Sequence, residues 1–439
     1  MLKTLIKGTA ILTITGFITR IIGFAYKIYL SNVMDAKMLG IYQLVFPVFG
    51  ICFTIYAAGI QTAISQMIAA RKDDIKYVKT TVLKSGVISL FLALVLSVIV
   101  YAASDTIAAK LLGEPGSSMA IRMLVLSFPV SAVSSCINGC YYGLSKTSVP
   151  AITQLLEQIT RVVFVFLIAS NIVYGNSTMI CLVAVAGLAA GEFFSMLYSL
   201  IRITILFKKN NSDSSVKRKY NITKKLLKLS IPLTANKLVI ALLHGIETIL
   251  IPVMLKSSGM DSETALGVYG ILTGMAMPFI LFPSTITNSL SVLLLPAISE
   301  ANTKNRGIKN LSDISIAGSM ILGIISTAVF YFFGGNLAGI VFNNDSVGSY
   351  IEVLSFLCPF LFTSTTLTSI INGMGYTHIT FFITIIGLSV RILLTIKLIP
   401  IQGISGYLIS LLISQLAVTV ISYGYYRKTL EKKASDSPL

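Results

Sequence analysis

Nine ionisable side chains lie inside otherwise apolar stretches of this chain: Arg20, Lys27, Glu157, Arg161, Glu192, Lys237, His244, Glu247 and Arg391. A cation at mid-bilayer costs at least ~2.5–3.5 kcal/mol on insertion scales, so such groups are expected to face a bundle interior or a wet cavity. Their spacing suggests how they are shared out. Arg20 and Lys27 are seven residues apart, almost two helical turns, and fall on one face. Glu157 and Arg161 are four apart and can pair. Lys237, His244 and Glu247, seven and three apart, again share a face. With histidine neutral, five cations against three carboxylates leave a balance of +2. That sign favours an anion, and arginine in particular forks onto phosphate oxygens.

Plainer readings stand beside these. Lys27, near the end of its stretch, can be a snorkelling anchor. Glu157 with Arg161 can be a self-neutralised structural pair, Glu192 a lone buried carboxyl, and His244 a packing residue. Arg20 lies too deep to reach water easily, which points to a cavity.

The elements that must position these groups follow from composition. The 439 residues are 55% hydrophobic and 12% charged, with a mean hydropathy of +0.85. Ordinary soluble domains carry roughly twice that charged fraction, so this is an integral membrane protein. At about 20 apolar residues per helix, twelve spans are expected, over 9–30, 40–69, 83–103, 119–144, 148–170, 178–206, 227–255, 265–298, 312–334, 348–374, 377–399 and 402–426. The first stretch is too long and too charged for a secretory signal and reads as a retained helix.

A net charge of +17 would suggest nucleic acid on a soluble surface. Here the cations fall between the apolar segments and report topology instead. With the N-terminus inside, 24 of the 34 Lys and Arg residues lie on the inner side, 5 on the outer side and 5 within spans. That bias predicts an N-in, C-in arrangement.

The five cysteines all lie in apolar segments and read as small buried apolar residues. No HExxH and no GxxxxGK occurs, so neither catalysis nor direct ATP use has a handle in the sequence. No cofactor, no metal and no nucleic-acid partner is expected.

The longest polar break is a basic linker over 207–226, expected to be flexible and cytoplasmic. It divides the chain into an N-terminal lobe, 1–206, and a C-terminal lobe, 227–427, followed by a tail over 428–439. Six spans per lobe is an even number, so any repeat must be parallel, about an axis along the membrane normal. Weak similarity supports one: Leu39-Gly40-Ile41-Tyr42 recurs as Leu266-Gly267-Val268-Tyr269, and Ile137-Asn138-Gly139 as Ile371-Asn372-Gly373. The first offset projects Arg20 onto Glu247, an opposite charge. The expected architecture is all-α, two six-helix lobes with a polar cationic cleft where substrate binds.

At these residues the chain resembles the multidrug/oligosaccharidyl-lipid/polysaccharide exporter superfamily, and within it the lipid-linked-sugar flippases. The resemblance is carried by Thr19-Arg20-Ile21-Ile22-Gly23-Phe24 with Tyr26-Lys27, by Gly40-Ile41-Tyr42-Gln43 and Pro47, by Asn138-Gly139, and by Glu157-Gln158 with Arg161. It implies alternating access and a lipid-linked phosphate or pyrophosphate sugar turned from the inner to the outer leaflet of a bacterial plasma membrane. It implies that Arg20 matches the first-helix arginine of the peptidoglycan-precursor flippases' cationic cavity. Lys27 falls one position after their second basic residue, at Tyr26 here, and fits the sporulation-type pattern instead. Those flippases commonly carry two further C-terminal helices, which the twelve spans here do not include.

The expected substrate contacts are Arg20, Lys27, Arg161, Lys237 and Arg391, with Glu157, Glu192, His244 and Glu247 in coupling or gating, through a proton or sodium ion. The leading reading is a flippase for an undecaprenyl-linked anionic cell-wall or polysaccharide precursor, spore-cortex peptidoglycan among the candidates. The alternatives are a cation-coupled multidrug exporter, which would want a carboxylate-rich cavity, and a non-transporting scaffold, which would not need aligned charges.

Overall fold

The computed structural model describes residues 2–171, 176–209, 221–303, 308–342, 344 and 346–435, and these are helical almost throughout. In chain order the α-helices are α1 (Leu2–Val33), α2 (Ala36–Phe53), α3 (Gly59–Ala69), α4 (Ile75–Ala102), α5 (Ser104–Thr106) and α6 (Ser118–Leu124). Then come α7 (Ser127–Gly143), α8 (Ser148–Ala169), α9 (Ser177–Lys209), α10 (Ile222–Ser257), α11 (Ser262–Gly270) and α12 (Met277–Leu281). The last six are α13 (Ser284–Thr303), α14 (Ile308–Phe342), α15 (Ser346–Ser355), α16 (Cys358–Gly373), α17 (Thr377–Gln402) and α18 (Ile404–Ser435). Among the described residues, ten helices are long and apolar enough to cross a membrane. Two bent pairs, Pro115–Leu124 with Ser127–Gly143 (43°) and Ser346–Ser355 with Cys358–Gly373 (53°), bring the number to as many as twelve if each pair is one span. The apolar side chains they leave uncovered, such as Ile340 at 82% and Phe332 at 73% exposure, form the lipid-facing surface that a soluble protein would bury.

The stretch 265–298 is broken after Leu281, as expected where a long span contains Pro283: that residue has no N–H to give and its ring disfavours helix in the residue before it. One boundary differs from the sequence expectation. The basic linker is shorter than 207–226: α9 runs to Lys209 and α10 starts at Ile222, while residues 210–220 lie outside the described residues. The reason lies in the apolar face that Ile222, Leu226, Leu229 and Leu233 make at helical spacing, which packs into a buried cluster with Met67, Val78 and Tyr141. Packing of one face outweighs the polarity of Lys224 and Lys225 on the other.

Helix starts are fixed by capping. Asp74 accepts from the Tyr77 amide at 2.9 Å at the start of α4. Asp261 accepts from the amides of Glu263 and Thr264 and from the Thr264 hydroxyl at the start of α11. The bond from the Thr264 hydroxyl, followed by those amides, holds the exposed Asp261 carboxyl below its ordinary value.

The chain forms two compact units, each discontinuous: Met1–Gly23 with Ile41–Gly245, and Phe24–Gly40 with Ile246–Leu439. In the first unit α7 lies against α3, where Gly139 and Gly143 face the backbone carbonyls of Gln61 and Ser65. A Cβ at either glycine would come within 2.7 Å of those oxygens. In the second unit α16 lies against α13 in the same way: a Cβ on Gly373 would sit 2.9 Å from the Leu295 carbonyl oxygen. Helices in lipid gain little from hydrophobic burial against each other, so small residues that let backbones approach decide where they meet. The repeated asparagines serve the neighbouring helix. Thr153 donates to Asn138 Oδ1 at 3.3 Å in the first unit, and Thr380 to Asn372 Oδ1 at 2.7 Å in the second.

The other repeat meets itself. Within the second unit Gly40 of α2 faces the Leu266 carbonyl and Gly270 of α11. Both copies of the Leu-Gly element therefore stand where two helices cross.

Candidate transport site

In the second unit Glu247 is buried, 5% exposed, on α10. Arg391 of α17 donates through Nη1 to Glu247 Oε1 at 3.1 Å, and Tyr407 of α18 donates its hydroxyl to the same oxygen at 3.0 Å. Arg391 Nε in turn donates to Ser414 Oγ at 2.8 Å, and Ser414 donates to the Leu411 carbonyl. Three helices thus meet on one carboxylate, with charge balanced and the guanidinium held from two sides. A lone buried charge of either sign would be costly in lipid; the pair satisfies both.

The first unit carries a second cluster on α7, α8 and α9. Arg161 pairs with Glu157 one turn before it on α8. Gly187 and Gly191 of α9 allow the approach: a Cβ at Gly187 would strike Val165, and one at Gly191 would meet the Glu157 carbonyl at 2.6 Å. The next residue, Glu192, accepts a long hydrogen bond of 3.4 Å from the Ser134 hydroxyl of α7. Two carboxylates and one guanidinium share this cluster, so it holds a net negative charge when ionised, a composition suited to taking up a proton or small cation.

Lys237, on the part of α10 that belongs to the first unit, has no carboxylate partner among the described residues. It donates to the Ala58 carbonyl and to Thr62 Oγ1, both at 2.8 Å. Ala58 ends a π-helical segment, Thr54–Ala58, between α2 and α3. A π turn shifts the bonding pattern by one residue and leaves carbonyl oxygens short of donors. The structure supplies them from side chains: Ser89 donates to the Tyr56 carbonyl at 2.5 Å, and Lys237 and Thr62 to that of Ala58.

Arg20 is exposed on α1, and no hydrogen bond or ion pair joins it to another described residue. Lys27 is half-buried, one turn beyond Phe24, whose ring packs at a tilt against Phe282 with centroids 4.7 Å apart. Lys27 likewise has no carboxylate partner among the described residues. His244 is exposed on α10. The stripe of Lys237, His244 and Glu247 therefore divides by partner, with Lys237 bonded inside the first unit and Glu247 inside the second. Sequence reasoning missed Tyr407, Ser414, Thr62 and Ser134. A hydroxyl in an apolar span has no charge to announce it, although Tyr407, Ser410 and Ser414 do recur at near-helical spacing on α18.

The five cysteines are free and buried, as their setting in apolar segments suggested.

These spans and buried charges define a class, a multi-pass integral membrane protein, and its relatives are transporters and flippases of the bacterial plasma membrane rather than enzymes. The family model described as "Polysaccharide biosynthesis protein" matches residues 5–302, and the MatE model matches residues 245–396. The chain belongs to that polysaccharide biosynthesis family, within the multidrug/oligosaccharidyl-lipid/polysaccharide exporter superfamily. It is similar to stage V sporulation protein B of Bacillus subtilis (strain 168), 24% identical over 98% of this chain and 84% of the relative. It is also similar to the lipid II flippase MurJ of the same organism, 21% identical over 99% of this chain and 86% of the relative. Among solved structures, an inward-facing multidrug resistance MATE family transporter shares the fold, with a TM-score of 0.75, 16% identity and 96% of each chain covered.

Proposed function

We propose that this transporter is a flippase for a lipid-linked anionic sugar, moving an undecaprenyl-linked cell-wall or polysaccharide precursor from the inner to the outer leaflet. The observation that carries the reading is the division of the cations. Arg161 and Arg391 are neutralised by Glu157 and Glu247 inside their own units. Arg20, Lys27 and Lys237 have no carboxylate partner among the described residues, so the positive charge left for a ligand is theirs. A phosphate or pyrophosphate is the anion that arginine and lysine bind best together. The similarity to a lipid II flippase supports a polyprenyl-linked substrate, and that to stage V sporulation protein B supports a role in sporulation. In this reading both termini are cytoplasmic, from the excess of 24 basic residues over 5. Glu192 and Glu157 are the coupling groups, taking a proton or sodium ion.

The test is reconstitution into liposomes with a fluorescent undecaprenyl-pyrophosphate sugar and a membrane-impermeant quencher. The wild-type protein should expose inner-leaflet label that empty liposomes keep protected, and Arg20→Ala should not. Label that stays protected with wild-type protein, while a cationic dye is carried across the same liposomes, would replace this reading with the multidrug one.

A further inference from the structure

The first unit has a cavity of about 360 Å³ that uses none of the nine intramembrane charges. It opens between the α7–α8 turn and the last turns of α9. Lys146, Arg202 and Lys209 line it, together with the hydroxyl-bearing Ser145, Thr147 and Ser148. Ser148 begins one candidate span and Lys209 ends another, so the cavity lies at the level of a membrane surface. Ile205 and Leu206 form an apolar wall on the side of α9. No carboxylate lines it, and no ion pair joins its three cations to a carboxylate among the described residues.

The turn that builds the cavity is strained, and its counterpart in the other unit is not. Helix α7 ends with the amides of Leu144, Ser145 and Lys146 bonded to the carbonyls of Cys140, Tyr142 and Tyr141. Helix α16 ends in the same pattern, with Met374, Gly375 and Tyr376 bonded to Ile370, Asn372 and Ile371. The second position of each turn is left-handed. In α16 it is glycine, at φ 94°, whereas in α7 it is Ser145, at φ 57°, the only non-glycine residue with positive φ among the described residues. Glycine takes that conformation without cost and serine does not. The strained turn carries a hydroxyl and then Lys146, where the unstrained one carries no side chain and then Tyr376. Backbone strain thus stands at one copy of the repeat only, beside cations that have no carboxylate partner among the described residues.

We propose that this cavity binds a phosphate group at the membrane surface. Lys146, Arg202 and Lys209 neutralise it, the hydroxyls of Ser145, Thr147 and Ser148 donate to its oxygens, and Ile205 and Leu206 cover the apolar part that follows when the group belongs to a lipid. The shared chemistry admits two sources, an anionic phospholipid headgroup or free phosphate. A lipid phosphodiester fits basic pockets at span ends.

The experiment uses the purified full-length protein, titrated with phosphatidylglycerol or phosphatidylcholine under native mass spectrometry, with inorganic phosphate as competitor. Wild type should retain phosphatidylglycerol over phosphatidylcholine, and the double variant Lys146→Gln with Arg202→Gln should weaken that retention about tenfold through loss of its charge-assisted bonds. Lys84→Gln, exposed on α4 outside the cavity, should change nothing. Ser145→Gly should melt no lower than wild type yet bind less, which separates a ligand role from a folding one. Inorganic phosphate that displaces the lipid, and is itself lost in the double variant, supports the site with a soluble source. Equal retention by wild type and the double variant, with no displacement by phosphate, overturns the proposal, as does equal loss in Lys84→Gln.

Discussion

Arg391 and Glu157 occupy the same place in the two repeats, each 19 residues beyond the repeated asparagine, Asn372 and Asn138. One is a cation and the other an anion, and each is paired within its own unit: Arg391 with Glu247 at 3.1 Å, Glu157 with Arg161. The repeat has kept an ion pair at this point of each unit and inverted its sign. The position is therefore held by the need to close a charge in lipid rather than by one side chain's chemistry.

That closure predicts how the second cluster fails. Glu247→Gln leaves the guanidinium of Arg391 without its counter-charge, whereas Glu247→Gln with Arg391→Met removes both charges. The double variant should be more stable than the sum of the two singles, with a coupling of roughly 1–3 kcal/mol. Tyr407→Phe removes one neutral donor and should cost only about 0.6 kcal/mol, the average for such bonds in membranes. Thermal unfolding in detergent measures all four proteins, and additive losses would show that the pair does not act as a unit.

Lys237 has two separable tasks, supplying a donor to the Ala58 carbonyl and holding a positive charge. Lys237→Gln keeps a donor and loses the charge, so it should fold like wild type while transporting poorly. Lys237→Met loses both, but Thr62 still donates to the Ala58 carbonyl and the bond is exposed, so it should melt lower by no more than about 0.5–1.5 kcal/mol. Transport by the glutamine variant at the wild-type rate would assign Lys237 to structure alone.

The orientation is open to single-cysteine labelling, since the five native thiols are buried. Asp73→Cys, in the turn before α4, should resist an impermeant maleimide added to intact cells. Ser258→Cys, in the connection between α10 and α11, should react. The reverse pattern would invert the topology and, with it, the direction of flipping.

Glycine packing supplies a prediction about the repeat. Gly139→Leu and Gly373→Leu each place a side chain where a neighbouring helix backbone already stands, and both should lose stability by at least ~1–3 kcal/mol. Gly86, which has open space at its Cβ, should accept the same change with little effect on melting.

The repeat was legible in the sequence for this reason. Asparagine and glycine were retained at 138–139 and 372–373 because each glycine admits a helix and each asparagine accepts from a threonine, so both copies kept the same letters. The spans were legible because about twenty apolar residues in lipid have few structures other than a helix. The pairing of Arg161 with Glu157 followed from spacing along one helix. The partner of Arg391 did not, because Glu247, Tyr407 and Ser414 reach it from helices distant in sequence, and no periodicity along one segment records which helix lies beside another. The helical start at Ile222 was missed for a related reason: Thr223, Lys224 and Lys225 make the segment 222–226 mostly polar, and the apolar face that packs is only Ile222, Leu226, Leu229 and Leu233.

The last prediction rests on the difference between Arg20 and the paired arginines. Arg20 is exposed and has no described partner, so its replacement breaks nothing within the protein. Arg20→Ala should insert and melt like wild type, with insertion if anything easier, since removing a mid-span cation removes a cost of at least ~2.5–3.5 kcal/mol. Its flipping rate should nonetheless collapse. Arg20→Lys separates charge from shape: lysine keeps the charge but offers a point ammonium in place of a planar fork, so it should restore part of the rate. Losing one charge-assisted hydrogen bond to phosphate, at roughly 1.5–3 kcal/mol, corresponds to a rate about ten- to a hundredfold below wild type. Arg161→Ala makes the contrast, because it leaves Glu157 without its counter-charge and should lower stability and transport together. Rates are read in the liposome assay and stability by melting of the same preparations. A normal rate for Arg20→Ala, or a rate loss matched by a stability loss, would remove Arg20 from the phosphate site.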